Sequence, residues 1–105
     1  MNEIRYESFL FRTYKKVWKE GEWKGKKVKW LGDETIENRN ILSLQELREA
    51  REDFEKIIKC PGVLLKENFG DWSVEYEKDG EIYYTYIMGF VAYNQREGGM
   101  KLTDL

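Results

Sequence analysis

Trp72-Ser73-Val74-Glu75-Tyr76-Glu77-Lys78-Asp79-Gly80-Glu81-Ile82-Tyr83-Tyr84-Thr85-Tyr86-Ile87 is the stretch on which the fold turns. Trp72, Val74 and Tyr76 alternate with Ser73, Glu75 and Glu77, the period-two pattern of a strand with one buried face. Asp79-Gly80 supplies a two-residue turn, because both residue types tolerate the positive φ that such a turn requires. Centring the turn there pairs Tyr76 with Tyr83, Val74 with Thr85 and Trp72 with Ile87. Those six side chains then share one face. The returning segment, 81–93, is apolar on both faces, which places it centrally in a sheet. Gly89 marks a bulge or bend in it.

Upstream, Val63-Leu64-Leu65 reads as a short strand before a turn at Phe69-Gly70-Asp71. Before it lies a helix over about 43–59. Ser43 caps it, Glu46 completes the capping-box spacing, and Leu42 with Leu47 occupy the staple positions. Leu44, Leu47, Ala50, Phe54, Ile57 and Ile58 form one apolar stripe. Arg48, Glu49, Glu52, Asp53, Glu55 and Lys56 occupy the opposite side. Glu52 with Lys56 and Glu55 with Lys59 are spaced as four-apart ion pairs. Pro61 and Gly62 end the helix.

Residues 4–20 admit two readings. Tyr6, Leu10, Phe11, Tyr14, Val17 and Trp18 fit a helical stripe, yet 9–18 is rich in aromatic and β-branched residues that favour strands. The hairpin reading is adopted, with Glu20-Gly21 turning the chain into 23–31 and pairing Phe11 with Trp30 and Thr13 with Val28. Asp33 to Asn40 then reads as a polar connection. The expected class is α+β: one main helix, about 43–59, packed on a largely antiparallel sheet of four to five strands. Residues 1–105 are expected to form one domain, with a loose tail over 98–105.

Composition narrows the chemistry. Histidine is absent and Cys60 is the single cysteine. That removes His-dependent triads, Cys–His pairs and His-containing zinc sites, and leaves too few thiols for a Cys-only metal site in one chain. Cys60 follows a helix C-terminus, the end that disfavours a thiolate, so an inert buried thiol is expected. Gly21-Glu22-Trp23-Lys24-Gly25-Lys26-Lys27 superficially has the look of a phosphate loop. It has one residue too few between its glycines, and Lys27 stands where Ser or Thr is needed. Asp33, Glu34 and Glu37 form a carboxylate cluster that a metal-dependent hydrolase could use. No cofactor is expected. With no apolar run after Met1 and no span of about 20 apolar residues, a cytoplasmic location without membrane contact is expected.

Charge is unevenly placed. Residues 12–30 hold eight Lys and Arg side chains against Glu20 and Glu22, a net of +6, which leaves −8 elsewhere in a chain of net charge −2. Mutual facing or simple solvation is the plain account. The functional account expects a non-catalytic protein that binds another protein, with Trp18, Trp23, Trp30 and Tyr84 as anchors, since Trp and Tyr suit interfaces. The acidic residues of the helix and of 67–81 would let such a protein imitate a phosphate backbone. It would then act as an inhibitor or accessory factor of a nucleic-acid-handling enzyme, by analogy with small inhibitors encoded by mobile elements. The alternative is a single-stranded nucleic-acid-binding module: Lys24, Lys26, Lys27 and Lys29 would follow phosphates while neighbouring aromatics stack on bases. Oligomeric state is open.

Overall fold

A computed structural model describes residues 5–91, 99–101 and 105. Five strands and one helix follow in the order β1 (Ser8–Trp23), β2 (Lys26–Ile41), α1 (Leu44–Ile58), β3 (Leu64–Gly70), β4 (Ser73–Lys78) and β5 (Glu81–Phe90). They form one antiparallel sheet, ordered β2-β1-β5-β4-β3, with α1 across one face. This is an α+β arrangement.

The β4–β5 hairpin has the expected register, with Val74 opposite Thr85 and Tyr76 opposite Tyr83. Asp79 (φ 54°) and Gly80 (φ 79°) make its turn. β5 lies at the centre of the sheet. The end of the expected return strand, 92–93, lies outside the described residues. On the other side β3 runs to Gly70, later than the expected turn, and residues 71–72 make the connection.

Ser43 caps α1 as expected. It accepts from the Glu46 backbone N–H at 3.2 Å, and its hydroxyl donates to the Glu46 carboxylate at 3.0 Å. Leu47, Ala50 and Phe54 are buried against Phe9, Phe11, Ile41, Val74 and Tyr76 of the sheet. Phe54 meets Trp72 edge-on at 5.6 Å, and the Arg51 guanidinium lies 4.4 Å from the Trp72 ring centre. Lys59 pairs with Glu55 at 3.2 Å. The expected Glu52–Lys56 pair does not form among the described residues.

The N-terminal third is a hairpin, but its turn is not at Glu20-Gly21. Lys24 (φ 52°) and Gly25 (φ 77°) both lie in the left-handed region, and the turn forms there. Phe11 therefore opposes Arg39, and Trp30 opposes Lys19. The supposed connection 33–40 becomes part of β2. A one-residue slip between Thr13 and Tyr14 leaves Ile36 unopposed, a β-bulge.

Gly89 marks a close approach. A Cβ there would meet the Tyr6 ring at 2.2 Å and Phe9 at 3.0 Å. Tyr6 is held by paired backbone hydrogen bonds with Met100, at 2.7 and 2.6 Å. Met100 is buried, so this part of the supposed loose tail is docked; 102–104 lie outside the described residues. Gly89→Ala is expected to cost about 1–3 kcal/mol, the usual penalty of overpacking. Urea denaturation checks this. In a Tyr6→Ala background the same substitution should cost less, with only the Phe9 contact at 3.0 Å remaining.

Candidate recognition surface

β5 pairs with β1 only over Ser8–Lys15. Beyond that point, among the described residues, β1 and β2 pair only with each other, from Lys16 opposite Asp33 to Trp23 opposite Lys26. This leaves a two-stranded arm of about 26 Å, given ~3.3 Å per residue. The molecule accordingly measures 54 Å along its longest axis and 22 Å along its shortest.

Alternation fixes what each face of the arm carries. Phe11 and Thr13 are buried under the helix, so the same face of β1 continues through Val17, Lys19, Gly21 and Trp23. Their partners are Gly32, Trp30, Val28 and Lys26. The opposite face carries Lys16, Trp18, Glu20 and Glu22 against Asp33, Leu31, Lys29 and Lys27. On the helix-side face the Trp30 ring comes within 3.1 Å of where a Gly21 Cβ would stand. The Lys19 stem comes within 2.8 Å of the Gly32 position. Each glycine clears space for a large side chain to lie flat on the ribbon.

Trp18 is 70% exposed, Trp23 67% and Trp30 46%, with Leu31 and Val28 also exposed beside them. Among the described residues none of these rings belongs to the core or packs against it. Trp23 and Trp30 share the helix-side face and Trp18 lies on the other, so the arm carries exposed indoles on both of its faces, where a single exposed apolar side chain would be unremarkable. Tyr84, the fourth anchor expected from the sequence, lies elsewhere. It is half-buried on the sheet face away from the helix, hydrogen-bonded to Ser73, with its ring against Phe69 at 5.6 Å and Tyr86 at 5.4 Å. Tyr14 continues that row at 6.2 Å from Tyr86. Tyr84 and Tyr86 are a period-two pair on β5 that the sequence shows, while Tyr14 of β1 and Phe69 of β3 join them only through the strand order.

The lysines do not form one track. Lys26 faces the helix side, Lys27 and Lys29 the other, and Lys24 sits in the turn with its ammonium 5.7 Å from the Trp23 ring centre. Lys29 pairs with Glu20 at 3.3 Å and Lys16 with Asp33 at 2.9 Å. The acidic residues are divided too. Asp53 is held by Arg39 at 2.9 Å, Glu77 by Lys66 at 2.8 Å and Glu81 by Lys15 at 2.8 Å. Lys15 holds the Glu81 carboxyl below its usual range, and Glu81 in turn raises the Lys15 pKa.

The carboxylates Asp33, Glu34 and Glu37 are not brought together. Asp33 and Glu34 are neighbours on a strand and point to opposite faces, while Glu37 accepts from Arg39 at 2.7 Å. Among the described residues no group of three or more carboxylate or thiol side chains is placed to hold a metal ion. No described helix is long and apolar enough to cross a membrane.

No family model, curated protein or solved structure matches the chain. The functional argument therefore rests on these side chains.

Beneath the helix, Thr13, Thr85 and Tyr76 are buried and joined through their hydroxyls at 3.0 Å each. Burial raises the Tyr76 pKa above its ordinary value near 10, and the Thr85 hydrogen bond opposes that only in part. A raised folded-state pKa contributes stability that is complete below the unfolded value and is lost as pH climbs through the folded one. Stability should therefore fall above pH 10, and fall less steeply in Tyr76→Phe. Urea unfolding at pH 9 and pH 11 measures the difference.

Proposed function

We propose that this chain is a binding protein that docks on another protein through the β1–β2 arm. The observation that carries the reading is the exposure of Trp18, Trp23 and Trp30 on a ribbon that contributes nothing to the core. Holding three indoles in water costs free energy that burial against a partner would recover, at about 25 cal/mol per Å². Exposed Trp side chains ringed by polar groups have the anatomy of interface anchors. Lys19 and Lys26 flank Trp23 and Trp30 on the helix-side face and Lys24 caps the turn, which suits a partner whose apolar groove has an acidic rim. Tyr84, with Tyr86 and Tyr14, extends the contact along the face that Trp18 shares. The acidic residues of the helix and of 67–81, which would suit the basic groove of a nucleic-acid-handling enzyme, lie off this arm, so the arm supports protein docking and does not itself favour that partner class. A lone thiol that can form no intramolecular disulfide suits a reducing compartment such as the cytoplasm.

Direct nucleic-acid binding is the competing account, and the placement of charge disfavours it. A phosphate-tracking ribbon gains from cations on one face. Here the lysines are split between faces, and Glu20, Glu22 and Asp33 are interleaved with them.

A benzophenone amino acid at position 23 tests the reading in the native lysate. Protein adducts at defined mass are expected, absent when the probe is placed at Asp79 on the far turn. Labelled oligonucleotides should show no binding at low salt. Oligonucleotide binding with a steep salt slope, lost in Lys26→Glu/Lys27→Glu/Lys29→Glu, would replace this reading with the nucleic-acid one.

A further inference from the structure

A second feature lies in the body of the fold, away from the arm. Where α1 ends over the sheet, a cleft of about 430 Å³ opens, with Ile57 and Cys60 on the helix side and Thr13, Ile36, Tyr76 and Tyr83 on the sheet side. That volume falls within the ~300–1,000 Å³ typical of small-molecule sites. The bulge in β2 helps to shape it: Ile36 has no partner across β1 and lines the cleft instead. Tyr76 and Tyr83 stack nearly parallel, 14° apart with ring centres at 5.4 Å, and give one flat wall.

The floor is polar in a specific way. Three hydroxyls, on Thr13, Thr85 and Tyr76, are joined by two hydrogen bonds. Two bonds use two of the three hydroxyl hydrogens. Both bonds are satisfied when the fully enclosed Thr85 donates to one neighbour and accepts from the other. The third hydrogen then belongs to Thr13 or Tyr76, and both line the cleft. A buried donor of this kind calls for an acceptor.

The rim is cationic. Lys56 and Lys78 both border the cleft, and neither enters an ion pair among the described residues. Glu37 borders it too, but Arg39 already holds its carboxylate at 2.7 Å.

We infer that this cleft binds a small molecule made of an apolar ring or chain and one anionic group. The apolar part lies between Ile36, Ile57 and the Tyr83 ring, an acceptor atom takes the spare hydroxyl hydrogen, and the anion meets Lys56 and Lys78. This site is independent of the arm.

The probe is 2-naphthoate, titrated into the full chain and followed by backbone amide NMR shifts. Saturable shifts at Thr13, Ile57 and Tyr76 are expected, with a Kd on the order of 0.1–1 mM for a ligand of this size. Cys60 is half-buried on the cleft and not the fully buried thiol expected from the sequence, so its alkylation by iodoacetamide should slow as the cleft fills. Lys56→Gln/Lys78→Gln, two substitutions at the rim, should weaken binding about tenfold or more, and uncharged 2-naphthylmethanol should bind the parent chain about tenfold more weakly. Ile57→Trp, which fills the cleft, should abolish the shifts. No saturable shift at 10 mM would overturn the inference. So would affinity that is unchanged in the lysine variant, which keeps the test decisive if Ile57→Trp fails to fold.

Discussion

Alanine at both Trp18 and Trp23 weakens partner binding by about 100-fold or more while the domain stays folded. Each central interface Trp is worth about 2 kcal/mol or more on truncation, and 1.4 kcal/mol is a factor of ten. Their effects are not strictly additive, so the combined loss is set at the lower end. The same double variant should change folding stability by less than about 1 kcal/mol. Trp18 has one cross-strand neighbour, Leu31, and such a pair contributes about 0.2–1 kcal/mol. Trp23 sits at the arm's end beside the turn. Surface interferometry on the captured partner measures the first quantity and urea denaturation the second. The contrast is what matters: a structural Trp would move the second number.

Phe11→Ala should do the reverse, and destabilise the fold without altering the arm's side chains. Phe11 is fully buried on β1, beneath the helix and beside Ile41 and Val74, and the Arg39 guanidinium lies 5.0 Å from its ring centre. Removing a buried Phe side chain costs about 3–5 kcal/mol, through lost transfer free energy and the cavity left behind. Domains of this size hold only about 5–15 kcal/mol in total. A fall in Tm of roughly 12 °C or more follows, read by calorimetry. Isolated arm contacts cannot compensate, because a two-stranded ribbon has no core of its own.

Local rules of the chain announce some of these features and leave others hidden. The β4–β5 hairpin was readable because Asp79-Gly80 admits one register and the apolar alternation agrees with it. Helix α1 was readable because Ser43, Glu46 and Pro61 punctuate an apolar stripe. The N-terminal hairpin had the right type and the wrong turn. Two glycines competed, and Lys24 does not advertise the positive φ it adopts. Residues 33–40 looked like a connection because an edge strand wet on both faces carries no apolar alternation. The three tryptophans were readable as candidates, but their shared place on the arm followed only from the register. Tyr84 was grouped with them by residue type alone. The cleft was invisible in the sequence, since Thr13, Ile36, Ile57 and Tyr76 come from four separated elements and one of them depends on a bulge.

An arm that serves recognition should be removable. Val17 and Gly32 are paired across the ribbon, so Asn-Gly in place of residues 18–31 closes the hairpin with a favoured two-residue turn. Urea unfolding of this shortened chain, measured beside its binding to the captured partner, is the decisive comparison. Cooperative unfolding within about 1 kcal/mol of the parent, with binding gone, is the predicted result. A shortened chain that fails to fold, or that still holds the partner at the parent's affinity, would contradict it.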